Sequence, residues 1–273
     1  MKNITIVGGG WLGKPLSQYL TSIGHNVYVS KTTIEGSEEL KKGGIQSFVA
    51  NLANGTQDLD NQLSQYPCDI IIGCFPPGFR KNTGQNYLGN WQTLIKSAKN
   101  NQVSRVLMVS STTVYPNVAK DMVEDDATLE KSRDNPLFSD NAKVMLEAET
   151  RLVESGLSYA IVRCSGLVGP DRHPSRFASM LKQVSDLAPA NMIHLQDAIG
   201  AVSFMALNSV NETVNATTPN TVNKAEYYQA ALNSVGSQQA LPPRVHVADK
   251  RILADKLIHL GYRFHFQHTL DAL

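Results

Sequence analysis

Over the first 165 positions of this 273-residue chain, apolar residues fall into short unbroken runs rather than alternating with polar ones. The runs are ITIV (4–7), NVYVS (26–30), IQSFVANL (45–52), DIIIGCF (69–75), RVLMVSS (105–111) and SYAIVRC (158–164). Continuous runs rich in Val and Ile suit strands buried on both faces. The stretches between them predict helices at 14–24, 85–100 and 139–155, with weaker helical patterns at 36–43 and 57–65. Strand and helix alternating at this spacing predict right-handed βαβ units and an α/β fold with a parallel sheet. After residue 166 the pattern loosens. GLVGPDRHPSRF (166–177) reads as a loop, and helices are predicted at 197–210, 223–236 and, as a short last element, within 249–264. The expected architecture is a Rossmann-type doubly wound parallel sheet on residues 1–165. A smaller C-terminal lobe, residues 166–273, interleaves with it.

Composition excludes several partners. The chain is 42% apolar and 18% charged, with a net charge of +1. Nucleic-acid binders usually carry a strong basic excess, so none is expected. Three cysteines, Cys68, Cys74 and Cys164, lack paired spacing. That pattern argues against a disulfide framework and a zinc site and fits a reducing compartment. The first strand starts at residue 4, which leaves no room for a signal peptide, and no apolar run approaches a membrane span. These features predict a cytoplasmic protein without a metal, a membrane or a nucleic-acid partner.

Gly8-Gly9-Gly10-Trp11-Leu12-Gly13 fits G-x-G-x-x-G, follows the first strand at once and opens a helix. In that context the pattern indicates a dinucleotide. Gly8 permits the tight turn, Gly10 lets the backbone approach a pyrophosphate, and Gly13 lets helix and strand pack closely. Trp11 and Leu12 complete the loop, and the helix start offers free N–H groups to phosphate. Pro15 sits in the first turn, where its missing N–H does little harm. At the end of the second strand a carboxylate would bind the ribose 2′-OH and repel a 2′-phosphate. The chain instead has Ser30, Lys31 and Thr32, with no acid until Glu35. Hydroxyls and an ammonium suit a phosphate, so NADP is expected, with NAD as the alternative.

The glycine loop, VSSTTVYP (109–116) and IVRCSGLVGPDRHPSRF (161–177) together resemble the short-chain dehydrogenase/reductase superfamily, and more narrowly its epimerase/dehydratase (extended) branch. NMIHLQDAIGA (191–201) and AEYYQAAL (225–232) resemble that branch's C-terminal lobe. The resemblance implies that Ser111, at the end of the fifth strand, hydrogen-bonds the substrate, with Ser110 beside the cofactor and Thr112 beside the substrate. It implies a Tyr-x-x-x-Lys pair, whose lysine holds the nicotinamide ribose and lowers the tyrosine pKa. It places CFPPG (74–78), with Cys74, Phe75 and Pro76, over the adenine-side ribose. Asn51 falls where the family often has an acid near the adenine.

One position departs from the family. In PLFSDNAKVMLEAE (136–149) the lysine is matched by Lys143, but Ser139 stands four residues earlier, next to Phe138. A serine hydroxyl is too weak an acid to replace a phenol near neutral pH. Ser139 instead reads as a helix cap. Tyr115 is kept as a catalytic candidate; Tyr87 and His173 are looser ones, and packing or solvent is the simpler explanation for each. The resemblance turns the 170–177 loop toward the substrate, where Arg172, His173 and Arg176 suit an anion. Asp197, ahead of a helical run, reads as its N-cap, and its spacing from His194 makes no metal site. The expected function is that of an NADP-dependent oxidoreductase, monomeric or homodimeric, on a small anionic or sugar-like substrate. The alternative is a non-catalytic NADP-binding sensor or partner module.

Overall fold

All six apolar runs form strands. A computed structural model describes residues 1–79 and 84–273. In chain order the elements are β1 (Asn3–Val7), α1 (Gly13–Ser22), β2 (Asn26–Lys31), α2 (Ile34–Lys42), β3 (Ser47–Val49), α3 (Gln57–Gln65) and β4 (Ile70–Gly73). They continue with α4 (Tyr87–Asn100), β5 (Arg105–Ser111), β6 (Asp121–Met122), α5 (Leu129–Ser132), α6 (Asp140–Val153) and β7 (Ser158–Cys164). Then follow β8 (Gly166–Val168), α7 (Ser175–Ala178), β9 (Val184–Ser185), β10 (Met192–His194) and α8 (Leu195–Asn208). The last are β11 (Glu212–Ala216), α9 (Lys224–Ser234), β12 (Arg244–Val245), β13 (Arg251–Ile252) and α10 (Asp255–His259).

Seven strands form one sheet in the order β11-β7-β5-β4-β1-β2-β3. The pairs β1–β2, β1–β4, β2–β3 and β4–β5 are parallel. This is a Rossmann-type order, and it reverses direction between β1 and β4, the place where such sheets bind ligands at their carboxyl edge. Both faces are covered. Ile4 and Ile6 of β1 and all four residues of β4 are buried, which is why the strands read as unbroken apolar runs.

The chain divides into two compact, interleaved units. The first comprises residues 1–110, 139–162 and 202–213; the second comprises 111–138, 163–201 and 214–273. In the first, α4 packs against α6. Trp91 of α4 lies so close under Gly73 that a Cβ there would strike its ring. Ser139 does cap α6: the Ala142 N–H donates to its Oγ at 3.2 Å.

The second unit holds three two-stranded parallel ribbons, β6–β13, β8–β10 and β9–β12. At its centre Arg163 is 4% exposed. One arm of its guanidinium donates to the Glu124 carbonyl at 2.8 Å and to the Tyr115 hydroxyl at 3.2 Å, and the other to the Ala127 carbonyl at 2.8 Å. The Asn215 N–H donates to Glu124 Oε1 at 2.7 Å.

The short last helix expected within 249–264 is α10, and residues 251–252 ahead of it pair with β6. Two expectations for the C-terminal half are corrected. The loop at 166–177 contains β8 and the short α7. Asp197 is not an N-cap. It lies in the first turn of α8, and its carboxylate accepts the Tyr262 hydroxyl at 3.1 Å and the N–H groups of His265 and Phe266 at 2.7 and 3.0 Å. The helix start is served instead by the His194 ring, which accepts the Gln196 N–H at 3.2 Å. Among the described residues no helix is long and apolar enough to cross a membrane, and no cluster of three His, Cys, Asp or Glu could hold a metal ion.

Candidate functional site

The glycine loop is shaped by four contacts within the first unit. Gly8 has φ +110° and its N–H donates to Ser30 Oγ at 3.1 Å. A Cβ on Gly8 would lie 2.9 Å from the Cys74 carbonyl carbon and from the Phe75 nitrogen. Gly9 is buried, and its N–H donates to the Ser30 carbonyl at 2.8 Å. Gly13 faces the Gly8 carbonyl oxygen so closely that a Cβ would collide with it. The loop is thus pinned to β2 on one side and to the end of β4 on the other. Gly10 differs: it is exposed, and a Cβ there would meet nothing within 4 Å.

Beyond the loop, α1 starts without a side-chain cap and without an acidic residue in its first turn. The first N–H groups of a helix have no partner inside it, and the helix dipole adds positive potential there. The open face at Gly10 and an uncapped, acid-free helix start fit the pyrophosphate of a dinucleotide. Trp11 is half-exposed and Leu12 buried. Lys14, exposed in that first turn, was missed in the sequence; its signal is a lysine directly after the last loop glycine.

The remaining cofactor candidates of this unit take different positions. Ser30 is 2% exposed and turned inward to Gly8, so it shapes the loop, whereas Lys31 is half-exposed and Thr32 exposed. Asn51 caps a short turn by accepting the Ala53 N–H at 3.2 Å. Cys74 donates its N–H to the Val7 carbonyl at 2.8 Å, and Pro76 is exposed. The Phe75 ring packs inward, 4.8 Å from Trp91 and 6.0 Å from Tyr87 between centroids. Ser110 is buried and donates to Glu149 Oε1 of α6 at 2.5 Å, so its hydroxyl is spent on a helix. Lys143 is half-exposed in the first turn of α6. Tyr87 is buried, which raises its phenol.

In the second unit Ser111 and Thr112 are half-exposed. Ser111 Oγ accepts the Thr113 N–H at 3.2 Å and shares a hydrogen bond with Thr113 Oγ1 at 3.0 Å, so its lone pairs are oriented. Tyr115 is 2% exposed. Its hydroxyl donates to Asn215 Oδ1 at 2.6 Å and accepts from Arg163. Burial pushes the phenol up to about 12 against the pull of the Arg163 charge, so it stays protonated at neutral pH. No local sequence signal marks this network, because its members lie far apart along the chain. Arg172 and Arg176 are exposed; Arg176 donates to the Asp171 carbonyl at 2.7 Å. His173 Nδ1 lies 2.8 Å from Ser175 Oγ.

Comparison with known proteins identifies the fold and the family. Protein YeeZ of Escherichia coli K12 is 35% identical over 211 residues, covering 75% of this chain and 73% of that protein. The Bordetella bronchiseptica enzyme WbmH, solved in complex with NAD+, superposes with a TM-score of 0.76 at 18% identity, covering 100% of this chain and 95% of that one. Thermus thermophilus UDP-glucose 4-epimerase, solved with NAD, gives 0.74 at 15% identity, covering 99% and 97%. At such identities the two structures speak for the fold alone. The profile of the NAD dependent epimerase/dehydratase family matches residues 4–215, and on that match the chain belongs to the NAD dependent epimerase/dehydratase family.

Proposed function

We propose that the chain binds NADP and acts as an oxidoreductase on a small anionic or sugar-like molecule bearing a carbonyl or hydroxyl group. The observation that carries the cofactor half is the uncapped, acid-free start of α1 beside the open Gly10. The NAD named with WbmH and the Thermus epimerase supports a nicotinamide cofactor. Lys31 and Thr32 at the surface end of β2 favour NADP over NAD. Gly8, Trp11, Leu12 and Gly13 hold the loop, Lys14 adds charge near it, and Asn51 with the Cys74–Pro76 backbone serves the adenine side. Residues 1–165 carry the cofactor in this reading, and residues 166–273 join Ser111 and Thr112 in holding the substrate.

When bound, the nicotinamide supplies or accepts hydride. The chain's own contribution is positional. Ser111 Oγ, oriented by Thr113, holds the substrate oxygen, with Thr112 beside it. Lys143 serves the ribose. Arg172, His173 and Arg176 supply donors and positive charge to an anionic group. Tyr115 takes no part in proton transfer, because its hydroxyl is buried and used in both directions. The proton is exchanged with the substrate or with water.

The first test is a titration with NADPH and with NADH, read by tryptophan emission. Trp11 is half-exposed and Trp91 is buried, so quenching reports the loop. NADPH is expected to bind about tenfold more tightly than NADH, the value of one added charge-assisted contact. Absence of binding by either defeats the cofactor reading. The second test is Ser111→Ala. Loss of a group that holds the reacting oxygen should lower kcat/KM by about a hundredfold or more while the NADPH Kd stays put. Unchanged turnover removes Ser111 from the chemistry.

A second reading is an NADP-binding sensor or partner module without turnover. Two observations favour it: Ser139 caps α6 where the family has its phenol, and Tyr115 is locked away. No nicotinamide oxidation across a broad carbonyl panel, together with NADPH-dependent capture of a protein, would select it.

A further inference from the structure

We propose that Gly36 is a specificity-determining residue for the dinucleotide: its missing side chain lets the Lys31 stem lie across the first turn of α2, which aims the ammonium at the phosphate that distinguishes NADP from NAD. The inference rests on the NADP reading above and extends it to a residue that does not itself reach the ligand. A Cβ built on Gly36 would lie 3.3 Å from Lys31 Cδ and 3.4 Å from Lys31 Cγ. The third neighbour, at 3.3 Å, is Thr33 Oγ1, which already accepts the Gly36 N–H at 3.1 Å to cap the helix. An added Cβ would therefore fit only if the Lys31 stem shifted by a few tenths of an ångström, which displaces the ammonium while leaving the helix intact.

Backbone conformation does not explain this glycine. Gly36 lies within α2 and is absent from the residues with left-handed φ. Glycine inside a helix weakens it relative to alanine, so space is the remaining reason. Lys31 is otherwise fixed only by its backbone. It ends β2, pairs in register with Val49, and its carbonyl accepts the Ala50 N–H at 2.8 Å. Among the described residues its ammonium has no ion-pair partner. A long lysine side chain has many rotamers to lose on binding. Laying its stem against the helix turn removes part of that loss in advance.

The experiment uses the full chain as Gly36→Ala, Lys31→Ala and the double variant, titrated with NADPH and NADH, with the thermal midpoint of the unliganded protein measured alongside. Lys31→Ala should weaken NADPH about tenfold and leave NADH alone. Gly36→Ala should weaken NADPH about three- to tenfold, leave NADH alone, and keep or raise the thermal midpoint, since alanine favours the helix. In the Lys31→Ala background the Gly36 change should have no further effect on NADPH. The proposal is overturned if Gly36→Ala keeps the wild-type preference, weakens both nucleotides alike, or acts equally without Lys31. A wild-type chain that binds both nucleotides equally overturns the NADP reading and this inference with it. A wild type that prefers NADPH, beside an indifferent Gly36→Ala variant, overturns this inference alone.

Discussion

Gly13→Ala is expected to lower the thermal midpoint and to weaken NADPH binding by more than about a hundredfold, the scale on which a displaced binding group fails. The new Cβ would collide with the Gly8 carbonyl oxygen. Gly8 is held in place, because its N–H donates to Ser30 Oγ at 3.1 Å and the Cys74–Phe75 backbone runs so close that even a Cβ on Gly8 would lie 2.9 Å from it. Relief must come from α1 moving away from β1, which opens the contact to Ile6 and carries off the N–H groups that face the phosphates. Overpacking of this kind costs about 1–3 kcal/mol. Helix propensity alone predicts the opposite, a gain of about 1 kcal/mol for alanine over glycine. A fall in the midpoint would therefore identify the collision, and a rise would refute it. Gly10→Ala is the control. Its Cβ meets nothing within 4 Å, so its midpoint should hold while NADPH binding falls.

Arg163→Met should cost about 2–3 kcal/mol of folding stability, the scale of leaving buried acceptors without their charged donor. The methionine fills much of the space but donates nothing. The carbonyls of Glu124 and Ala127 and the Tyr115 hydroxyl each lose a donor inside the second unit. The Arg163 charge centre, 5.4 Å from the Tyr115 ring centroid, is lost as well. Equilibrium urea unfolding measures this as a lower midpoint at an unchanged slope. A loss below about 1 kcal/mol would mean that water replaces the guanidinium, and that the network is not what holds residues 124–127.

The contrast between the halves of the chain explains what could be read in advance. The strands of the large sheet are buried on both faces, so ITIV and DIIIGCF announce themselves. The paired elements of the second unit are two or three residues long, and their partners lie far away: Arg244 pairs with Val184, and Arg251 with Asp121. No local periodicity records such a pairing. Ile252 is buried between the half-buried Arg251 and Leu253, and its strand pairing with Met122 leaves no local pattern. Asp197 misled for a related reason. It carries out the chemistry of a cap, but the N–H groups it satisfies belong to His265 and Phe266. Within the site, the glycine loop was legible because its strand–turn–helix context is local. The inward turn of Ser30, the burial of Ser110 against Glu149 and the locked hydroxyl of Tyr115 depend on packing, which no single stretch encodes.

The interleaving of the two units has a consequence for synthesis. The first unit needs residues 202–213 and the second needs residues 214–273, and the chain passes between them five times. A nascent chain that has emerged as far as β7 still lacks β11, the strand that closes that flank of the sheet. At about 5–20 residues per second, roughly 50 further residues hold that flank open for several seconds. An uncovered strand edge is a template for pairing with other chains. Ribosome-bound chains stalled just after β7 has cleared the exit tunnel should therefore recruit chaperones, and those stalled after β11 has cleared it should release them.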